Sequence, residues 1–251
     1  MTFLHGWLGG GDDWREVTRL LDSGYGLLLI DLPGHRGSTA VGHYYDMQET
    51  CSAVLEIVQS HTTAKSVLIG YSMGGRIALG CALKSPRLFG GLILEGTNPG
   101  IEAAGERHNR AEHDNQLAQQ LEEIGLREFL PQWYGMELFE SLRADQARYQ
   151  KLIGKRAAGN ALAQAAALRN LSVGRQESYW DRLDELELPL LLVAGEHDSK
   201  YSEINRRMSE RLRQAEVVTI PAAGHNSHFE QPQAFAETVA QFLTRIGHSG
   251  D

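Results

Sequence analysis

The sequence contains few of the features that mark secreted, membrane-spanning or nucleic-acid-binding proteins. Two of its 251 residues are cysteines, which is too few for a disulfide framework and lacks the spacing of a metal site. No run of about 18 consecutive apolar residues occurs, so no membrane-spanning helix is predicted. The net charge of −8 argues against nonspecific binding to nucleic acid or to an anionic membrane. We interpret Cys51 and Cys81, both in predicted helices, as reduced core residues.

The overall composition is that of an ordinary globular protein. Hydrophobic residues make up 42% and charged residues 22% of the chain. The first ten residues have no basic segment followed by an apolar stretch, so no targeting signal is predicted and a cytoplasmic location is expected. The length fits one large domain with an insertion, and we expect a monomer that binds a small molecule.

Residues 65–85 are the most informative stretch. They read as a buried strand over 67–69, a sharp turn, and a helix with apolar residues at helical spacing. The turn is Gly70-Tyr71-Ser72-Met73-Gly74, in which glycines allow strand and helix to approach closely. This pattern predicts a nucleophile elbow that exposes the hydroxyl of Ser72. The alternative is an ordinary strand–helix turn in which the serine only caps the helix.

Strands alternate with helices along most of the chain, which predicts an α/β fold with a mostly parallel sheet flanked by helices. From about residue 98 to residue 180 strand signals disappear, and ten basic residues nearly balance eleven acidic ones. We therefore predict a core formed by 1–97 and 181–251, and a helical cap formed by 98–180.

Four polar side chains directly follow predicted strands, and such positions meet at one edge of a parallel sheet. They are His5, Ser72, Asp198 and His225. A serine hydroxyl needs a histidine as its base, and that histidine needs an acid to orient it. We predict His225 and Asp198 for these roles, with Glu95 as the rival acid. His228 is assigned a structural role as a cap of the last helix.

The glycine-rich stretch from His5 to Gly11 has the wrong spacing for a dinucleotide-binding loop. We predict instead that the backbone N–H of Trp7, together with that of Met73 at the start of the elbow helix, forms an oxyanion hole. The alternative is a flexible turn. His108 and His113 in the insertion have irregular spacing and are interpreted as surface residues rather than metal ligands.

Several motifs together resemble the α/β-hydrolase superfamily across essentially the whole chain: HGWLGG, DLPGHRGS, GYSMGG, GEHD and AAGHNSHFEQP. Within it, the chain is similar to the 2-succinyl-6-hydroxy-2,4-cyclohexadiene-1-carboxylate synthases of menaquinone biosynthesis. The residues that carry this narrower match are Tyr71, Arg76, Arg110, Trp133 and Arg156. The resemblance implies an α/β-hydrolase fold with a helical cap.

The resemblance also implies a lyase that needs no cofactor or metal. A triad-activated serine would remove a proton, and pyruvate would be eliminated from a substrate with several carboxylates. Arginines suit such a substrate because guanidinium groups bind carboxylates through two parallel hydrogen bonds. The alternatives are that Arg107, Arg110 and Arg156 lie on solvated helix faces, and that Tyr71 and Trp133 are core residues.

The sequence departs from the superfamily pattern in two places, and each departure leads to an expectation about the structure. Relatives usually have one or two further strands ahead of the HGW loop, so an open sheet edge is expected here. Arg36 stands where the DLPGHxGS loop commonly has glycine, which bears on the local backbone shape. Two other functions stay open: a carboxylesterase or thioesterase acting through an acyl-Ser72 intermediate, and a non-catalytic ligand-binding protein.

Overall fold

The structure is a computed structural model, and it describes residues 1–21, 24–38 and 45–247. The last four residues of the predicted core segment 181–251 therefore lie outside the described residues. Six strands form one sheet in the order β2-β1-β3-β4-β5-β6, and every pairing between them is parallel. The strands are β1 (Thr2–Leu4), β2 (Leu28–Ile30), β3 (Ser66–Tyr71), β4 (Phe89–Glu95), β5 (Leu190–Gly195) and β6 (Ala215–Ile220). The predicted parallel sheet is confirmed.

Helices cover both faces of this sheet. After a 3-10 turn at Gly11–Trp14, the core helices are α1 (Arg15–Thr18), α2 (Met47–His61), α3 (Met73–Lys84), α7 (Ser199–Ser209), α8 (Ser227–Glu230) and α9 (Pro232–Gly247). Successive strand residues point to opposite faces. Leu68 and Leu92 therefore pack into the core beneath α2, α3 and α7, whereas Ile69 and Ile93 pack into the core beneath α1 and α9.

All secondary structure between β4 and β5, a region that the structure describes completely, is helical. It comprises α4 (Ala104–Trp133), 3-10 turns at Glu137–Phe139 and Ser141–Arg143, α5 (Gln146–Ala157), α6 (Ala161–Asn170) and a 3-10 turn at Trp180–Glu185. We refer to residues 98–180 as the cap. Gly125 interrupts α4 with a φ of 71°, and the cap has its own apolar cluster around Leu121 and Phe129.

Ion pairs attach the cap to the first helical turns of the core. Lys155 and Arg156 at the end of α5 contact Asp13, and Arg148 and Lys151 contact Glu16. The predicted helical insertion is thus joined to the core next to the glycine-rich loop.

Several local expectations can be compared with the backbone. Helix α7 begins at Ser199, because the Asp198 side chain accepts a hydrogen bond from the Tyr201 N–H and caps it. The helical segment after the glycine-rich loop is short, a 3-10 turn followed by the four residues of α1. Arg36 has a φ of 47°, in the left-handed region that favours glycine. Among the described residues, β2 has no partner strand on its outer side, and none of their helices is long and apolar enough to cross a membrane.

Candidate functional site

Ser72 occupies the turn between β3 and α3 in a strained conformation. Its φ is 51° and its ψ is −109°, values that a residue with a side chain rarely adopts. Gly70 and Gly74 make this turn possible, because a Cβ atom on Gly70 would collide with the backbone of α3 and one on Gly74 would collide with the backbone at the end of β1. The predicted elbow therefore forms, and it holds the hydroxyl at the beginning of α3.

The structure brings Ser72, His225 and Asp198 together from three strand ends. The Nδ1–H of His225 donates to Asp198 Oδ2 over 2.7 Å, and the Ser72 hydroxyl lies 3.4 Å from His225 Nε2. The second distance is at the long end for a hydrogen bond. The order along the chain, serine, acid and histidine, is that of the elbow enzymes. This arrangement can transfer a proton from Ser72 to His225.

Asp198 both caps α7 and orients His225. One carboxylate oxygen accepts from the Tyr201 N–H and caps α7, while the other accepts from His225. Because each oxygen has one partner, capping the helix also fixes the direction of the carboxylate that orients the histidine. The rival acid, Glu95, does not contact His225 through its carboxylate.

Glu95 instead anchors the turn that carries His225. Its fully buried carboxylate accepts from the Ser227 hydroxyl (2.7 Å), the His228 N–H (2.9 Å) and the His228 ring Nδ1–H (2.6 Å). The His228 ring stacks on Trp14, with centroids 4.0 Å apart. The expectation that His228 caps the last helix is wrong, because the buried carboxylate two strands away binds its ring.

A second histidine pair fixes the glycine-rich loop. His35 Nε2 accepts from the N–H of Leu8 (3.1 Å), and His5 Nε2 accepts from the N–H of Leu32 (2.9 Å). Each ring donates through Nδ1 to a nearby backbone carbonyl, and the two ring centroids are 4.9 Å apart. Leu8 has a φ of 66°, in the left-handed region that residues with a side chain rarely adopt.

These two rings are held in the neutral form. Burial lowers the pKa of His5 to about 4 and that of His35 to about 3. An Nε2 that accepts a backbone N–H cannot also carry a proton, so the hydrogen bonds and the pKa values agree. The neighbouring N–H of Trp7 and the first-turn N–H of Met73 remain our predicted oxyanion donors, and the first N–H groups of a helix have no intrahelical partner.

Two adjoining cavities meet at Ser72. The larger has a volume of about 530 Å³ and contains Tyr71, Arg156 and His225 in its wall. The smaller has a volume of about 90 Å³ and contains Arg76 and Asn98. The walls of both include Trp7, Ser72, Arg110, Asp114, Trp133, Lys200 and Tyr201. The cap residues among these close the cavities over the strand ends.

Two of the three predicted substrate arginines have carboxylate partners within the protein. Arg110 Nε lies 2.9 Å from Asp114 Oδ1, and Asp114 also accepts from Ser172. Arg156 is 4% exposed and forms a two-point ion pair with Asp13. Burial opposes the charge of Arg156, but Asp13 outweighs it and raises the pKa of the guanidinium. Arg156 is therefore not on a solvated helix face, although its charge is already balanced.

Arg76 is the exception. It is half-buried and lines the smaller cavity one helical turn after Ser72. Its guanidinium donates to Gln176 Oε1 and to the carbonyl of Leu171, both neutral acceptors. Among the described residues, no carboxylate oxygen lies within 4 Å of it. Burial, and after it the charge of Arg110, lowers the pKa of Arg76 to about 10, so it stays charged at neutral pH.

The aromatic residues of the narrower match also reach the cavities. The Tyr71 ring is buried between His225 and His228, with centroid distances of 5.3 and 5.0 Å. Burial raises the pKa of its hydroxyl, so Tyr71 is neutral at neutral pH. Trp133 packs edge-on against Trp7, with centroids 4.6 Å apart. Both residues therefore combine core packing with a position in the cavity wall.

Sequence reasoning missed several wall residues. Lys200 and Tyr201 lie two and three positions after Asp198, so their place near a strand-end acid was the available signal. Asp114 reaches the walls of both cavities through the folding of the cap. Nothing in the sequence marked Gln176, which contacts Arg76. His113 lies in the wall of the larger cavity, and the described residues contain no group of three or more His, Cys, Asp or Glu side chains that could hold a metal.

Comparison with known proteins agrees with this geometry. The sequence profile described as "Alpha/beta hydrolase family" matches residues 3–238. The chain is 36% identical over 245 residues to the 2-succinyl-6-hydroxy-2,4-cyclohexadiene-1-carboxylate synthase of Photorhabdus laumondii, covering 97% of this chain and 85% of that protein. Identity to the protein of the same name from Serratia proteamaculans is also 36%, with 98% and 94% covered.

A solved structure gives the same result. The structure of MenH from S. aureus superposes with a TM-score of 0.94 at 29% sequence identity, covering 98% of this chain and 93% of that one. The likeness therefore extends over both the core and the cap.

Proposed function

The chain belongs to the alpha/beta hydrolase family, and we propose that it is a lyase of menaquinone biosynthesis. It eliminates pyruvate from 2-succinyl-5-enolpyruvyl-6-hydroxy-3-cyclohexene-1-carboxylate and yields 2-succinyl-6-hydroxy-2,4-cyclohexadiene-1-carboxylate. The observation that carries this proposal is the position of Ser72, hydrogen-bonded to His225 at the junction of two cavities that three arginines line. The names of the relatives give the reaction, and the cavities suit its substrate.

The change in double bonds defines what the enzyme must do. The double bond at ring position 3 becomes double bonds at positions 2 and 4, so a proton leaves C2 and the enolpyruvyl oxygen leaves C5. The C2 proton is next to the succinyl carbonyl, and its loss places negative charge on that carbonyl oxygen. A base and an oxyanion hole are therefore required, and no acyl-enzyme is formed.

Ser72 is the base in this proposal. As its Oγ takes the C2 proton, its own proton moves to His225 Nε2, and Asp198 stabilises the imidazolium and holds its orientation. The C2–H electron pair forms the C2=C3 bond, the C3=C4 pair moves to C4=C5, and the C5–O bond breaks with its pair leaving on oxygen. The enolate of pyruvate then takes the proton from His225. Ser72 ends as a neutral hydroxyl, so atoms and charges balance.

The oxyanion donors are assigned to the backbone N–H groups of Trp7 and Met73. The histidine-fixed glycine loop and the start of α3 hold these groups rigidly, which is what stabilisation of a developing charge requires. The three carboxylates of the substrate would bind a cationic wall in which Arg76 and Lys200 supply the net positive charge. Arg110 and Arg156, whose charges aspartates already balance, would supply further N–H donors to it. A site for neutral esters would not need this wall.

The test measures pyruvate release from substrate made in situ by the preceding pathway enzyme. We expect release well above the no-enzyme rate, and a fall of about 10³-fold or more for Ser72→Ala, because the base is lost. Ser60→Ala is the matched control, since Ser60 is exposed on α2 and remote from both cavities. It should release pyruvate at the wild-type rate.

Two results would contradict the proposal. Background release by the wild type, with rapid hydrolysis of a chromogenic ester, would identify a hydrolase that forms an acyl-Ser72. Background release without ester hydrolysis, but with tight binding of the substrate, would identify a non-catalytic binding protein.

A further inference from the structure

The cap contains a buried glutamine whose side chain, among the described residues, makes polar contacts with Arg76 and a backbone carbonyl. Gln176 is 2% exposed. Its Oε1 accepts from Arg76 Nη1 over 2.7 Å, and its Nε2 donates to the carbonyl of Pro99 over 3.0 Å. An arginine can only donate and a carbonyl can only accept, so these two partners fix the orientation of the amide.

A second neutral group completes the arrangement. The carbonyl of Leu171 accepts from Arg76 Nη2 over 2.6 Å. A guanidinium has five N–H donors, so two of these contacts leave others for a ligand in the smaller cavity that Arg76 lines. The guanidinium is thus oriented by the cap but its charge is not cancelled.

The neighbouring arginines are held differently. Arg110 is paired with the buried carboxylate of Asp114, and Arg156 with that of Asp13. A carboxylate partner supplies the negative charge that a substrate would otherwise supply, and competition between the two weakens binding. A glutamine of nearly the same shape avoids that competition.

We propose that Gln176 is a positioning residue, which holds Arg76 toward the smaller cavity as a cation with no carboxylate partner and thereby selects an anionic group of the substrate. This inference rests on the proposed function, in which the substrate carries three carboxylates. It assigns to position 176 a requirement for a neutral acceptor rather than merely for a residue that fills space.

Gln176→Glu tests this requirement, because it places a carboxylate on Arg76 with little change in volume. We expect KM for the substrate to rise about 10- to 100-fold with kcat within a few fold of wild type, as for loss of a hydrogen bond to a charged group. Gln176→Met removes the acceptor but adds no charge, so KM should rise less, by about 3- to 10-fold.

The double variant Gln176→Glu/Glu177→Gln has the net charge of the wild type, since Glu177 is exposed and outside both cavities. It should keep the high KM of Gln176→Glu. A return to the wild-type KM would show that charge acts at a distance, and would overturn the proposal. An equal or larger effect of Gln176→Met would also overturn it, because packing would then explain both.

Succinate binding, measured by calorimetry with succinamide as the neutral reference, separates this inference from the proposed function. Weaker succinate binding in both variants, in the same order as for KM, would support the inference even if no pyruvate were released. Pyruvate release with unchanged KM in both variants would overturn the inference and leave the function intact. If Gln176→Glu failed to fold, an unchanged KM and an unchanged succinate affinity in Gln176→Met would by themselves overturn the inference about Gln176.

Discussion

Two histidine pairs lie on opposite sides of Ser72, and they differ in what their rings contact. In the turn after β6, His225 and His228 each donate to a buried carboxylate, Asp198 and Glu95. In the loops after β1 and β2, His5 and His35 have only backbone partners. All of these rings are nearly inaccessible to solvent, so burial alone does not separate the two pairs.

This difference shows that the hydrogen-bond partner of a buried histidine ring determines which role the ring can have. A carboxylate stabilises the imidazolium, so the ring can accept a proton during turnover. A backbone N–H needs the lone pair of a neutral ring, so the ring becomes a fixed acceptor that shapes a loop. Within the first pair, only His225 reaches Ser72, which limits the chemical role to one of these histidines.

The largest expected effect comes from removing the charge that supports His225. Asp198→Asn should lower kcat by about 10³- to 10⁴-fold, because the imidazolium loses its partner and the ring its preferred tautomer. Asparagine caps a helix as well as aspartate does, so the free energy of unfolding should change little. Pyruvate-release kinetics test the expected loss of kcat, and urea denaturation tests the expected free energy of unfolding. A kcat close to that of the wild type would mean that Asp198 serves mainly as the α7 cap.

The next largest effect concerns His5 and His35, and it is a loss of folding stability at mildly acidic pH. His5 and His35 have folded-state pKa values of about 4 and about 3, below the ordinary value of 6.5. As the pH falls below 6.5, the unfolded chain binds protons that the folded chain does not, so stability is lost toward pH 4. For His5 the loss is about 3 kcal/mol. At higher pH neither state is protonated, and the contribution is complete.

Urea unfolding between pH 7.5 and 4.5 measures this dependence. His35→Gln keeps an acceptor for the Leu8 N–H but cannot titrate, so its stability should fall less steeply with pH than that of the wild type. His61→Gln is the control, since His61 is exposed at the end of α2. Parallel curves for wild type and His35→Gln would refute the assigned neutral role.

The smallest expected effect comes from changing Glu95, the partner of His228, and it is compared with the effect of changing Asp198, the partner of His225. Glu95→Gln should lower the free energy of unfolding by about 1–3 kcal/mol, because the amide cannot accept all three hydrogen bonds. The turnover number should fall less than tenfold, since Glu95 supports the turn rather than the ring of His225. Comparing kcat with Asp198→Asn is the measurement, and an equal loss in the two variants would make Glu95 part of the catalytic relay.

Much of this site could be predicted from local sequence. The elbow, the glycine loop and the strand-end positions of Asp198 and His225 depend on a few residues in a row, and the parallel sheet brings them to one edge. The role of Glu95 could not be predicted, because an acid at a strand end can face either histidine of the turn 130 residues later. In the fold, Glu95 binds His228, whose ring also stacks on Trp14.

The arginines show the same limit. Sequence could predict that Arg76, one turn after Ser72, lies near the serine, because helical spacing sets that distance. It could not predict that Asp13 neutralises Arg156 or that Gln176 contacts Arg76, since these contacts join residues about 100 or more positions apart. Such pairings depend on how the cap packs on the core.

The sequence by itself determined the parallel sheet, the strained elbow and the polar residues at the strand ends, because strand periodicity and glycine spacing act over a few residues. The tertiary structure alone decided the partners of each buried charge and ring. Partners depend on atoms from distant segments meeting within about 3 Å. Those partners decide which histidine can carry a proton and which arginine keeps its charge for a ligand.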